Sequence, residues 1–292
     1  MVAESPSWTK VEDWWQLFVE QQAEELNNLE SLFHELEHHW QASSSPYDAD
    51  PLTIDWSATN QQPGPMRLGQ EENWSRWFSQ LISDSHGPFT RDLFGEQFDV
   101  KPDTVRCERA YHDEELHDRR VDIVGNTGDH GMTIEVKIGD ENYGKTLQAA
   151  YLVDQHDERS LDWSHFLLLP QAKQSVLQTA YEGRFDDQSS RPILRADGDF
   201  EVDVTVLYWR DVAQSLRKVV YTEAEDSPHW NASAYLFITL IEQQIQRHYP
   251  ESSITGLETA TTSLSDIERL QSIDPEEQLS HLREFVEATI NG

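Results

Sequence analysis

Two short runs in the middle of the chain alternate polar and apolar residues. Arg119 to Val124 alternates, and Thr133 to Ile138 alternates again, so Ile134, Val136 and Ile138 share one face. Between them, Gly125-Asn126-Thr127-Gly128-Asp129 is turn chemistry, with glycines free to take positive φ. A helix from about Tyr143 to Gln155 follows. The stretch therefore predicts strand, turn, strand, helix. The face opposite Ile134 and Val136 carries Glu135 and Lys137, and a hairpin symmetric about the turn sets Asp122 about opposite Glu135. Three charged groups then converge near one end of a ribbon whose other face is apolar.

The flanks follow the same logic. Residues 8–42 predict one long helix, with Trp14, Leu17, Phe18, Leu26, Leu29, Leu32, Phe33 and Leu36 at helical spacing and no Gly or Pro inside. A polar, Pro-containing stretch reaches to Gly69. A second helix runs from Glu71 to about Ser83, with Trp74, Trp77, Phe78, Leu81 and Ile82 on its apolar side, and His86-Gly87-Pro88 ends it. Thr104 to Ala110 predicts a first core strand. Phe166 to Leu169 is a short apolar run suited to a strand buried on both faces. Gln171 to Glu182 predicts a helix, Phe185 to Asp199 a polar loop, Val202 to Trp209 a strand and Asp211 to Val220 a helix. Trp230 to Tyr249, Leu264 to Leu270 and Pro275 to Ile290 complete the chain as helices. The order predicts an α/β protein: a mixed central sheet flanked by helices, with further helices at both ends. The divisions are a long helix (1–45), a linker (46–69), a core (70–222) and a C-terminal helical region (223–292).

Charge changes the picture of the solvent. The chain has 292 residues, 54 acidic and 22 basic, for a formal net charge of −32. That balance ordinarily argues against nucleic acid as a partner. Here the acid is spread along the whole chain, and lysine is confined to Lys10, Lys101, Lys137, Lys145, Lys173 and Lys218. The pattern resembles the acidic surfaces of haloarchaeal proteins, and it speaks of solvent rather than substrate. Cys107 is the only cysteine, which excludes an internal disulfide and a Cys-rich metal site. The first ten residues lack a basic region followed by an apolar core, so no signal peptide is expected. The longest apolar run, Ala234 to Ile241, is too short for a bilayer. A cytoplasmic protein with no membrane partner is expected.

Asp122, then Glu135-Val136-Lys137, then the helix bearing Gln148-Ala149-Ala150-Tyr151 resemble the PD-(D/E)XK nuclease superfamily. The resemblance covers about residues 70–220. It extends upstream to EENWSRWFSQLISDSHGPFTRDLF and downstream to SHFLLLP and VLYWRDVAQSL. The family often spaces its Gln and Tyr four apart; here they are three apart. The resemblance implies a restriction-endonuclease-like αβββαβ core and a metal-dependent nuclease acting on DNA in restriction, defence or repair. It admits a homodimer and partner proteins of a defence system. Phosphodiester hydrolysis needs an activated water and neutralised phosphate charge, and a hard cation supplies both. Asp122 and Glu135 are placed to hold Mg²⁺, for which Mn²⁺ can substitute. The resemblance implies the Val136 carbonyl as a further ligand. Lys137 would orient or deprotonate the water, or steady the developing charge, and a neighbouring metal would help depress its pKa. Glu72 would complete the site, Gln148 would fix the phosphate or the geometry, and Arg119, Arg120 and Tyr151 would touch substrate.

Two other readings stand beside this one. A binding module on the same fold, without turnover, is the alternative, and the intact Asp122, Glu135 and Lys137 argue against it. His34-Glu35-Leu36-Glu37-His38 matches the HExxH pattern of zinc metalloproteases. No third histidine follows in metzincin spacing, and the helix lies outside the core, so a solvated helix face is expected there.

Overall fold

The computed structural model of the chain describes residues 8–56, 67–112, 119–140, 143, 145–156, 160–189, 191–196, 200–254 and 275–290, with the side chains of the first helix described from Ala23 onward. The contacts divide the chain into two units: Asn60–Gln246, and Met1–Thr59 together with Arg247–Gly292. The expected helix over Leu264 to Leu270 lies outside the described residues.

In the second of these units, helix α1 (Trp8–Ala42) buries the expected Leu26, Leu29, Leu32, Phe33 and Leu36, and Trp40 besides; Trp14, Leu17 and Phe18 of the expected stripe lie outside the described side chains. The Trp40 ring stacks on Phe285 at 6.3 Å, and its indole N–H donates to Asp50 at 3.0 Å. His34, Glu35 and His38 are exposed.

The Asn60–Gln246 unit holds the sheet. Helices α2 (Glu71–Asp84) and α3 (Pro88–Phe94) lead into strands β1 (Thr104–Tyr111), β2 (Arg119–Thr127) and β3 (His130–Val136). Helix α4 (Thr146–Gln155) crosses to β4 (Asp162–Leu169), and α5 (Gln174–Ala180) follows. Then come β5 (Phe185–Asp186), β6 (Ile193–Leu194), β7 (Val204–Tyr208), α6 (Trp209–Tyr221) and α7 (Pro228–Leu240). The seven strands form one mixed sheet in the order β1-β2-β3-β4-β7-β6-β5. β1, β2 and β3 are antiparallel neighbours, β3, β4 and β7 run parallel, and β6 returns antiparallel on β7.

Several boundaries differ from expectation, each for a local reason. Gly125, Asn126 and Thr127 belong to β2 rather than to the turn, which shrinks to Gly128 (φ +55°) and Asp129. A Cβ at Gly125 would lie 3.2 Å from the Thr104 carbonyl, so glycine serves close strand approach there. The polar loop after Phe185 contributes β5 and β6: Leu194 is buried in the core with Phe185 packed beside it, and Arg195 bridges Asp186 at 2.6 Å and Asp203 at 2.8 Å at the exposed edge. The helix expected to continue to Tyr249 gives way at Leu240 to a π turn (Ile241–Ile245). That turn carries Glu242 to a buried, two-bond pairing with Arg217 of α6.

Strand alternation puts Ile123, Ile134, Phe166, Leu168 and Leu207 on one side of the sheet, where Phe166 meets Phe94 of α3 at 5.0 Å. The other side carries Thr133, Glu135, Leu167, Val206 and Tyr208, and its apolar part packs with Leu147 and Ala150 of α4. On this side Thr133 hydrogen-bonds His165 at 2.8 Å, and His165 lies 3.4 Å from Asp154 of α4, tying that helix to β3 through β4.

Gly131 is paired with Trp163, whose ring covers the bare glycine; an added Cβ would sit 2.4 Å from it. Gly131→Ala is therefore expected to displace the indole and lower stability by about 1–3 kcal/mol, read as a lower urea midpoint at unchanged slope. A neutral substitution would show that the ring moves aside freely.

Candidate active site

The register of the β2–β3 hairpin pairs Ile123 with Ile134, so Asp122 falls opposite Glu135 one step further on. Asp122 Oδ2 accepts the Val136 N–H at 2.8 Å. N–H and C=O of one strand residue point to the same edge, so the Val136 carbonyl faces the Asp122 side too. Two residues along the same face as Glu135, Lys137 places Nζ 3.0 Å from Glu135 Oε1 and 3.7 Å from Asp140. The Lys137 backbone is held at both ends. Its N–H donates to the Leu168 carbonyl at 2.8 Å, and its carbonyl accepts the buried Trp209 indole N–H at 3.1 Å.

These groups line a pocket of about 300 Å³. Asp122, Glu135, Glu71, Glu72 and Glu108 bring its negative charge, and Lys137, Arg119, Arg120 and Lys145 bring its positive charge. In a chain with 54 acidic and 22 basic residues, this near balance marks a local concentration of cationic side chains.

Burial sets the electrostatics. Desolvation, followed by the charge of Asp122, pushes the Glu135 carboxyl up to about 7, although Lys137 opposes the shift. Desolvation also raises Asp122, against the Val136 hydrogen bond and the Lys137 charge. Burial works against the Lys137 ammonium, yet Glu135, by charge and hydrogen bond, and then Glu71 and Asp122 outweigh it, so its pKa is raised.

The remaining expected residues are distributed unevenly. Arg119 and Arg120 reach the pocket, Arg120 lying 3.8 Å from Glu108. Gln148 is engaged by Arg119, which donates to its Oε1 at 2.9 and 2.6 Å. Tyr151 packs on Phe200 at 5.6 Å, against the apolar cluster under α4, and is not among the pocket's residues. Glu72 reaches the rim but is exposed and pairs with Arg76 one turn on. Its neighbour Glu71 takes the inner position, accepting backbone N–H groups just beyond β3.

Glu71, Glu108 and Lys145 were not singled out from the sequence. Glu71 differs from Glu72 by one helical step, about 100°, and the apolar stripe of α2 would have found it: Trp74 and Phe78 lie three and seven residues on from Glu71, while Arg76 and Ser79 lie four and seven on from Glu72. Glu108 sits where the β1–β2 ladder skips a pair, opposite Asp122, with φ +56° in a stretch that reads as plain strand. One of its oxygens is buried without a hydrogen bond.

Among the described residues no group of three or more His, Cys, Asp or Glu side chains is arranged to hold a metal ion, which includes the His34–His38 face. The Asp122–Glu135 pair is a smaller donor set, of hard oxygens only. It suits Mg²⁺, which keeps several waters and takes one or two carboxylates beside substrate oxygens. Two desolvated carboxylates side by side, one of them raised to about 7, are also a pair that a cation would relieve.

Compared with protein-family models, with curated proteins and with solved structures, the chain finds no match in any of the three. No helix among the described residues is long and apolar enough to cross a membrane.

A carboxyl whose pKa is raised in the folded state binds more protons there than when unfolded. Between its ordinary value of 4.5 and about 7, stability therefore falls as pH rises. Glu135→Gln removes that loss. In the absence of metal its Tm is expected to exceed wild type by several degrees at pH 8 and by little at pH 5. Equal differences at both pH values would contradict the burial of this carboxylate.

Proposed function

We propose that the protein is a metal-dependent nuclease that hydrolyses phosphodiester bonds of DNA, with a PD-(D/E)XK-type site. The observation that carries the reading is the convergence of Asp122, Glu135 and Lys137 in one pocket whose rim holds Arg119, Arg120 and Lys145. With the short α3 set between α2 and β1, the order α2-β1-β2-β3-α4-β4 is consistent with the αβββαβ core of a restriction-endonuclease-like fold.

In the reaction, water adds to phosphorus as one P–O ester bond breaks. The water's proton passes to solvent, and the departing oxygen takes one up. Asp122 and Glu135, with the Val136 carbonyl, would hold Mg²⁺, which when bound neutralises phosphate charge and acidifies water. Lys137 donates to the attacking water or to a phosphoryl oxygen and steadies the charge that develops there. Arg120 and Lys145 line the same pocket, would contact the phosphates of a bound strand, and compensate locally for the acidic remainder of the chain. Arg119, holding Gln148, fixes the first turns of α4 against β2.

Cleavage of DNA is expected with Mg²⁺ or Mn²⁺ and not with EDTA. Lys137→Ala should lower the rate by about 10²–10⁴ while calorimetry shows Mg²⁺ affinity unchanged or slightly higher, since an ammonium is no ligand. Lys137→Arg should rescue poorly, because the guanidinium differs in shape and cannot be placed on the same point. Metal-dependent DNA binding without cleavage by the wild type would instead favour a silent binding module. Near wild-type cleavage by Lys137→Ala would refute the site.

A further inference from the structure

Past Val136 the alternation of β3 continues in the sequence to Ile138, yet the ladder stops. The reason is one carboxylate. Glu71 Oε1 accepts the backbone N–H groups of Ile138 at 2.7 Å, Gly139 at 3.2 Å and Asp140 at 3.3 Å. Three successive N–H groups turned onto one oxygen form an anion-binding concavity, and the protein fills it with its own side chain. Glu71 stands in the first turn of α2, where the helix dipole also favours a carboxylate.

This clamp acts on the residues immediately after Lys137. The Lys137 carbonyl is fixed by Trp209 and its N–H by Leu168, so Glu71 supplies the third restraint, on the exit. The same loop returns Asp140 to within 3.7 Å of Lys137 Nζ. Without Glu71, three N–H groups lose their acceptor, and Lys137 loses the support that directs it at Glu135.

We propose that Glu71 is a positioning residue for Lys137, working as a hydrogen-bond acceptor for the β3 exit and not as a cation ligand. The inference rests on the nuclease reading for its catalytic consequence only. The clamp itself is a property of the folded chain. Glutamine separates the roles, because its amide oxygen still accepts N–H groups while its charge is gone.

The test compares Glu71→Gln and Glu71→Ala in the full chain by hydrogen exchange of the peptide spanning 138–140, by Mg²⁺ calorimetry, and by cleavage. In Glu71→Ala the three amides should exchange faster, and kcat should fall about 10²-fold, as expected when a reacting group is misplaced by ~1 Å. KM and Mg²⁺ affinity should stay near wild type. Glu71→Gln should keep the slow exchange and most of kcat. Unchanged exchange in the alanine variant would overturn the clamp. A glutamine variant that loses about 10²-fold in kcat and binds Mg²⁺ more weakly than the wild type would overturn it in favour of a ligand role, and that comparison with the wild type stands even if Glu71→Ala does not fold. If the wild type cleaves nothing, the nuclease reading fails, and the exchange arm still decides whether Glu71 holds the strand exit.

Discussion

Asp122, Glu135 and Lys137 are charged groups drawn out of water at the end of an apolar sheet, and much of the surrounding structure follows from that constraint. An unpaired buried charge is costly, and two adjacent carboxylates are worse. One ammonium 3.0 Å from Glu135 offsets part of the charge, and one backbone N–H on Asp122 offsets a little more. The remainder appears as a Glu135 carboxyl raised to about 7. A bound cation would relieve such an excess. The supports are correspondingly rigid: Trp209 on the Lys137 carbonyl, Leu168 on its N–H, and Glu71 on the three amides that follow.

Much of this was legible in the sequence. Period-two alternation located β2 and β3, and because a strand's side chains alternate strictly, it fixed which residues share a face. The opposition of Asp122 and Glu135 followed from the hairpin alone. The apolar run Phe166 to Leu169 and the strand before α6 were equally plain. What was not legible depends on long-range contacts. β5 and β6 are two residues each; Leu194 is buried in the core and Phe185 packs against it, and Arg195 reaches Asp186 and Asp203 at the exposed edge. The π turn after α7 has no local signature and is tied to Arg217 of α6. The left-handed backbone of Glu108 likewise has no cue in TVRCERA. By contrast, Glu71, rather than Glu72, faces inward because it stands three and seven residues before the buried Trp74 and Phe78, whereas Glu72 shares the polar face with Arg76; the helical period of α2 carries that distinction.

The acidity of the chain sits beside this site without governing it. With a net charge of −32, the protein as a whole repels nucleic acid at low ionic strength, and screening shortens that repulsion to ~3 Å in molar salt. At that range the local set of Arg119, Arg120, Lys137 and Lys145 is what a phosphate entering the pocket would meet. Binding would then rest on contact and on metal coordination rather than on counterion release.

The account turns on whether the paired carboxylates hold a divalent cation. The most direct measurement is an anomalous-difference map from crystals of the protein soaked in Mn²⁺. The account predicts a single strong peak within coordination distance of Asp122, Glu135 and the Val136 carbonyl, absent in crystals of Asp122→Asn. Saturating Mn²⁺ with no peak there, or a peak that persists in Asp122→Asn, would contradict it.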